Sequence, residues 1–254
     1  YKFAIKTGNT YRLKNDPWAR DLTNSVGSSV VYDPNAYQWQ TPSFSMANWN
    51  ELVIYEMHVG TFGTSASGSP PATLQNCIDK LDHVKELGAN CISLMPINEF
   101  PGDLSWGYNP SYPFSVESAY GTPDDLKRFV DAAHARGIAV LNDVVYNHIG
   151  PTDMDMWQYD GWSQNNLGGI FFYNNTTQAT TPWGNTRPDY GRPEVRQYIR
   201  DNALMWLDEF RMDGLRWDGT KYIRRTDQYG QELPYAWGML QWCNDEINSR
   251  FPGK

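Results

Sequence analysis

Four times between residues 51 and 254, a short apolar run that reads as a strand is followed by apolar residues at helical spacing. This alternation restricts the fold more than any other feature of the chain. Strands that alternate with helices lie parallel and are covered by those helices, because each return to the same end of the sheet needs a crossover connection. The first strand is expected over residues 52–59. After a Gly/Ser/Pro-rich loop, Leu74, Cys77, Ile78, Leu81, Val84 and Leu87 recur at helical spacing, with Gly88 where a C-terminal cap belongs. Residues 91–95 read as the second strand. Thr122-Pro123-Asp124-Asp125 opens the next helix, with a threonine cap, a proline in the first turn and acids against the dipole, and Gly137 closes it. Residues 138–145 form the third strand. Pro193 starts a helix through Val195, Ile199, Trp206, Leu207 and Phe210, and residues 214–217 are the fourth strand. A last helix over 237–251 carries Leu240, Cys243 and Ile247 on one face.

The fold class is therefore α/β, with long loops at 96–121 and 147–192. A doubly wound sheet and a barrel both accommodate the count. Polar motifs gather at the C-terminal ends of the strands, where barrel enzymes build their sites, and this favours the barrel. A complete barrel of this type has eight units, so residues 51–254 are expected to form the first half, (β/α)4, of a TIM-type (β/α)8 barrel. Two open sheet edges would remain, and a second copy of the chain could cover them as a homodimer. Upstream, residues 1–34 place short apolar pieces (1–7 and 30–32) between the turn signals Gly8-Asn9 and Asp16-Pro17, which reads as the remnant of a small β domain. Residues 35–50 read as a linker.

Composition narrows the partners. With 29 acidic and 21 basic residues the formal charge is −8, and no basic stripe exists for a phosphate backbone, which excludes nucleic acid. No apolar run reaches the length of a membrane span. Cys77, Cys91 and Cys243 each fall in apolar stretches and read as reduced core residues, which fits a cytoplasmic protein. The 11 Trp and 16 Tyr offer flat faces of the kind that stack on sugar rings, and those beside a polar motif carry functional weight.

Three motifs lie at strand ends or in the loops after them: Trp106-Gly107-Tyr108-Asn109-Pro110, Asp143-Val144-Val145-Tyr146-Asn147-His148, and Gly214-Leu215-Arg216-Trp217-Asp218. Side chains alternate along a strand, so Arg216 and Asp218 face the same way, and the arginine can orient the aspartate as a nucleophile. Glu56 and His58 share a face of the first strand and are expected to fill the barrel interior through hydrogen bonds. Asp153 and Asp155 suggest a metal pair only weakly, and a solvated loop is the plainer reading.

Together these motifs resemble, in order over residues 51–254, the α-amylase superfamily of glycoside hydrolases. The wording Tyr-Glu-Met-His-Val-Gly-Thr-Phe (55–62) and Phe-Pro-Gly-Asp (100–103) is most similar to bacterial glycogen branching enzymes. Residues 1–34 resemble the last strands of the starch- and glycogen-type carbohydrate-binding module found ahead of that barrel. The resemblance implies a retaining enzyme acting on α-glucans such as starch, glycogen and maltooligosaccharides. In it Asp218 is the nucleophile, Arg216 positions it, and Asp143 bonds to that arginine. His148 and Tyr108 contact the sugar on the non-reducing side, with Trp106 near them, and Lys221 serves the leaving-group side, where Tyr222 replaces a common histidine. Asn147 matches a position that binds structural calcium in many amylases; no cofactor is otherwise implied.

Retaining glycosidases use two carboxyl groups about 5–5.5 Å apart. The resemblance takes the second, an acid/base glutamate, from a fifth strand, and the chain stops at Lys254 before one is expected. Neither Glu99 nor Glu246 has the position of that acid. The expected activity is cleavage of α-1,4 bonds through a glycosyl-Asp218 intermediate, with transfer to form α-1,6 branches. Plain hydrolysis, or a non-catalytic glucan-binding half barrel, stands as the alternative.

Overall fold

In the computed structural model, which describes residues 1–63, 70–152, 154–227 and 229–254, the chain opens with a hairpin of β1 (Phe3–Thr7) and β2 (Thr10–Lys14). There follow β3 (Ile54–Met57), α1 (Val59–Phe62), α2 (Leu74–Ile78), α3 (Leu81–Glu86) and β4 (Cys91–Leu94). A second antiparallel pair, β5 (Asn98–Glu99) and β6 (Tyr112–Val116), lies in the first long loop. Then come α4 (Pro123–His134), β7 (Ala139–Val144), α5 (Thr176–Ala179), α6 (Pro193–Asp208), β8 (Gly214–Trp217), α7 (Thr220–Arg224) and α8 (Ala236–Arg250).

The four expected strands form one parallel sheet in the order β3-β4-β7-β8. One face of it is dry: Met57, Ile92, Leu94, Val140 and Val144 are at most 1% exposed. They join one core with Leu81 and Val84 of α3, Leu126 and Phe129 of α4, and Ile199 and Trp206 of α6. The other face is half open. Ser93, Leu141 and Gly214 are partly buried, Ile54 is 46% exposed, and Glu56 and Arg216 are exposed.

The helix caps follow the sequence closely. Thr122 accepts from the Asp125 amide while Asp125 reaches back to it, Pro123 and Pro193 open their helices, and Gly88 and Gly137 take positive φ beyond the helices they end. Other expectations need correction. The helix over 74–87 is two helices, interrupted at Asp79 and Lys80, although Leu74, Cys77, Leu81 and Val84 stay on one buried face. Leu87, read as part of that face, is 58% exposed. The first strand ends at Met57, because Val59 already begins a helical turn that follows His58. Glu56 does not fill an interior; it is exposed on the open face.

Residues 15–48 contain no strand. Residues 30–32, expected in a β domain, run without a ladder, and upstream of β3 the hairpin is accompanied by one isolated antiparallel bridge, Leu22 to Ser29. The segment read as a linker is fastened to α4: the amides of Gln40 and Thr41 donate to Asp131 at 2.7 and 2.8 Å, and Phe44 stacks on His134 at 4.1 Å. Further up, the Val116 amide donates to the Arg20 carbonyl at 3.1 Å and the Tyr198 hydroxyl to the Pro17 carbonyl at 2.8 Å. Asp155 accepts from the Asn15 amide at 2.8 Å, while Asp153 lies outside the described residues. The three cysteines are buried and free, as read. Among the described residues no helix is long and apolar enough to cross a membrane.

Candidate active site

The parallel register pairs Asp143 of β7 with Arg216 of β8, which sets their side chains side by side on the open face at the strands' C-terminal ends. The Asp218 amide donates to the Val144 carbonyl at 2.9 Å, carrying the ladder one residue past β8. On this frame a single nitrogen, Arg216 Nη1, donates to Asp143 Oδ2 and to Asp218 Oδ1, each at 2.7 Å. Asn147 holds the other side of Asp218: its Nδ2 donates to Oδ2 at 2.9 Å and to the Asp218 carbonyl at 3.0 Å. Both carboxylate oxygens are thus fixed, while the side chain stays 17% exposed and open to a ligand. The next residue is glycine for a steric reason. Gly219 has φ +53°, and a Cβ there would stand 2.6 Å from Asn147 Nδ2.

Asp143 is different in kind. Its side chain is 2% exposed, and Oδ2 takes both the arginine bond and one from the Tyr108 hydroxyl at 2.9 Å. Oδ1 is buried without a partner. Burial pushes its pKa up to about 6, only partly countered by the bonds from Arg216 and Tyr108. Arg216 loses some preference for its charged form through burial, but its bonds to Asp143 and Asp218 more than restore it and hold its pKa above the usual arginine value. Tyr108 lies under the guanidinium at 5.9 Å, and burial, with Asp143 beside it, raises its pKa. The turn that delivers Tyr108 passes close to Pro96: Gly107 has φ +85°, and a Cβ would meet the Pro96 carbonyl at 2.3 Å.

His148 is buried, with Nδ1 2.5 Å from Asn147 Oδ1. Burial lowers its pKa to about 4 against the opposing pull of Asp218, so the ring is neutral at pH 7. Its face is covered by Trp183, stacked at 5.0 Å and 15°, and Trp183 in turn meets the edge of Tyr222 at 5.1 Å. Trp183 is 51% exposed, so one part of the indole remains free beside the carboxylates' histidine. The sequence reading missed it. The available signal was a tryptophan in the turn Thr181-Pro182-Trp183-Gly184, closed by paired Thr181 and Gly184.

Two other named residues stand at the margin. Lys221 is exposed on α7 with its ammonium 4.9 Å over the neighbouring Tyr222 ring. Trp106, 71% exposed, lines a separate hollow of about 270 Å³ with Leu104, His58 and Tyr120. His58 is hydrogen-bonded as expected: Nε2 lies 2.8 Å from the Ser105 carbonyl and 3.0 Å from the Tyr120 hydroxyl, which ties down the loop carrying Trp106. The Asn147 side-chain oxygen, the atom a calcium ion would need from this residue, lies 2.5 Å from His148 Nδ1.

Glu99 and Glu246 are also unsuited to proton transfer here. Glu246 is paired with Arg200 between α8 and α6. Glu99 is fully buried under the β5–β6 pair, accepting from the Ser118 amide at 2.8 Å, beside the equally buried Glu117, which accepts from the Phe100 and Ala119 amides, each at 3.0 Å. Burial pushes Glu99 up to about 7, and burial with the nearby Glu99 charge pushes Glu117 up to about 8.

The parallel α/β sheet thus carries an arginine-bridged carboxylate pair and stacked aromatic rings at its C-terminal rim. Residues 41–182, more than half of the 254, match the family described as alpha amylase, catalytic domain. The chain belongs to the alpha-amylase family, whose members are glycoside hydrolases and transglycosylases. It is 33% identical to the 1,4-alpha-glucan branching enzyme GlgB of Photobacterium profundum, over 99% of this chain and 37% of that protein. It is 38% identical to the malto-oligosyltrehalose trehalohydrolase of Rhizobium sp. M-11, over 82% of this chain and 33% of that protein. A crystal structure of a candidate alpha amylase from Salmonella typhimurium superposes with a TM-score of 0.79 at 33% identity, covering 96% of this chain and 38% of that one. Pullulanase from Paenibacillus barengoltzii, at 21% identity and TM-score 0.78, shares the fold. The chain thus spans little more than a third of the length of these relatives.

Proposed function

We propose that this chain carries the nucleophile half of a retaining α-glucan site, with Asp218 as the attacking group. In this reading an Asp218 oxygen bonds to the anomeric carbon of an α-1,4-linked glucose as the bond to the leaving oxygen breaks, giving a glycosyl ester. A sugar 6-hydroxyl then attacks the anomeric carbon, its proton passing to the conjugate base of the acid that protonated the leaving oxygen, and the carboxylate is restored with an α-1,6 branch left behind. The observation that carries this is the fixed orientation of Asp218 by Arg216 and Asn147, together with partial exposure. Asp143 is too enclosed to touch substrate and acts as a positioning residue through Arg216 and Tyr108. His148, Trp183 and Tyr108 form the sugar-facing wall, and Lys221 the leaving-group margin. The leaving oxygen needs a proton, and neither Asp143, Glu99 nor Glu246 is free to supply it. That acid belongs to further strands, with β3, β4, β7 and β8 as the first half of an eight-stranded barrel and the residues before β3 as the end of a preceding glucan-binding module. Pairing of two copies across the open edges is the other way to close the sheet.

A glycosyl fluoride bypasses the missing acid, because fluoride departs with little protonation. A 5-fluoro-α-glucosyl fluoride incubated with the 254-residue chain is expected to add one fluoroglucosyl group to the peptide containing Asp218, seen by mass spectrometry. The Asp218→Asn chain should take up none. Labelling at a different residue would remove Asp218 from the mechanism.

Hydrolysis is a second reading, supported by the 38% identity to the trehalohydrolase. Water then replaces the sugar hydroxyl as acceptor. Product analysis separates the two: α-1,6 linkages for transfer, released trehalose or shortened chains for hydrolysis.

A further inference from the structure

Arg187 is fully buried, and its guanidinium bonds backbone and not a carboxylate. Nη1 donates to the Gln178 carbonyl at 2.6 Å and Nη2 to the Thr226 carbonyl at 2.8 Å. Burial lowers its pKa from the usual arginine value. An enclosed cation held by carbonyls alone is costly, and an apolar side chain of similar size often fills a core as well. The two carbonyls it joins lie on two separate arms of the site. On the first arm, the Arg187 amide donates to the Ala179 carbonyl at 3.3 Å, which closes residues 179–187 into a loop with Arg187 at its base and Trp183 near its tip. The tip is drawn together by the Thr181 and Gly184 amides, each bonded to the other's carbonyl, at 2.8 and 3.2 Å. The Ile149 amide donates to the Thr186 carbonyl at 3.0 Å, which seats the loop beside His148. On the second arm, Thr226 lies two residues past α7, the helix that follows Asp218 and carries Lys221 and Tyr222. Trp183 and Tyr222 meet edge to face at 5.1 Å where the arms come together. A guanidinium holds its donors in one rigid fork, so the two arms cannot part without losing a bond.

We propose that Arg187 is a positioning residue: by tying the base of the Trp183 loop to the segment after α7, it fixes Trp183 against Tyr222 and so places the indole face on which a sugar ring stacks. Arg187 itself never touches substrate, and its effect passes through the Gln178 and Thr226 carbonyls. That a sugar stacks on Trp183 rests on the function proposed above; the tie between the two arms rests on the bonds alone. Loosening the tie weakens the stacking while Asp218 keeps its own bonds to Arg216 and Asn147.

Fluorine NMR on the 254-residue chain labelled with 5-fluorotryptophan tests it. The Trp183 and Trp106 lines are assigned by their loss in Trp183→Phe and Trp106→Phe. Arg187→Lys keeps the charge and can reach one carbonyl, whereas Arg187→Met reaches neither. The Trp183 line is expected to shift or broaden in Arg187→Lys and further in Arg187→Met, while the Trp106 line, on the other long loop, stays in place. With added maltoheptaose, the midpoint read on the Trp183 line should rise about fivefold in Arg187→Lys, the scale of one weakened stacking contact. A merely structural arginine would disturb both tryptophans alike. An unmoved Trp183 line, a Trp106 line that moves with it, or an unchanged midpoint overturns the proposal. Should Arg187→Met fail to fold, Arg187→Lys decides alone. If maltoheptaose leaves the Trp183 line of the unaltered chain unmoved, the sugar-facing wall fails, and the response of that line to Arg187→Lys still judges the tie. Labelling of Asp218 by the glycosyl fluoride depends on neither, so each failure is read separately.

Discussion

The two faces of the central sheet are built for different ends. On the helix-covered face, Ile92, Leu94, Val140 and Val144 have almost no contact with solvent. On the other, Ile54, Glu56 and Arg216 are exposed, and order is confined to the C-terminal rim, where Asp143, Arg216, Asp218 and Asn147 hold one another. Burial thus fixes the strands mainly from one side, with Cys91 and Ala139 the buried apolar residues of the other. That leaves the opposite side free to carry charges that a closed core would reject.

Mutations can break this contrast. The largest effect is expected at the rim. In any polypeptide containing this chain that turns over glucan, Asp218→Asn should lower kcat on the order of 10³-fold or more while leaving the Tm nearly unchanged, by steady-state kinetics and thermal melting. Arg216→Lys should follow, because a single ammonium cannot reproduce the geometry in which one guanidinium nitrogen serves both carboxylates; a loss of about 10²-fold is expected, with the chain still folded. On the covered face the pattern reverses. Leu94→Ala should cost about 2–5 kcal/mol in denaturant unfolding, as a fully buried leucine leaves a cavity. Ile54→Ala, the same kind of truncation on the open face, should cost less than about 1 kcal/mol. Similar costs for the two would mean that the open face is covered in solution, as barrel closure or self-pairing would do.

Acidity gives the smallest effect and sharpens the same comparison. Glu99 and Glu117 have folded pKa values raised to about 7 and about 8 from 4.5, so the folded state holds protons that the unfolded state releases. Their contribution is present in acid and is lost as the pH rises through 7 and 8. His148 has the opposite sign: its pKa is lowered from 6.5 to about 4, and stability is lost as the pH falls through that window. The two glutamates outweigh the single histidine, so the Tm should fall by a few degrees from about pH 5 toward pH 8.5, and Glu117→Gln should flatten that alkaline limb. An alkaline limb unchanged by Glu117→Gln would show that this pair does not govern it.

Much of this was legible in the sequence because it depends on local periodicity. Strand residues 91–94, 139–144 and 214–217 alternate or run apolar between glycine and proline punctuation, and the Thr122 cap is written in consecutive residues. The Arg216 and Asp218 pairing followed from alternation alone. What escaped depends on distance along the chain. Trp183 reaches His148 from 35 residues further along the chain, through a turn whose place is set by tertiary contacts. Residues 35–50 carry Pro, Ser and Asn in the manner of a linker, yet they are pinned by Asp131 of α4, about 90 residues away. Glu56 was misjudged because alternation tells which face a side chain takes and says nothing of what covers that face.

The shared nitrogen of Arg216 has one more consequence, and it concerns assembly. Because the side-chain period of a strand is two, sliding β8 past β7 by one residue would turn Arg216 to the helix side and leave Asp143 buried beside an apolar neighbour. Few misaligned arrangements could be repaired cheaply, since Leu215 and Trp217 would move to the rim in its place. The bridge therefore works as a latch on alignment, and a chain that closes it has the edge strand β8 in register on β7.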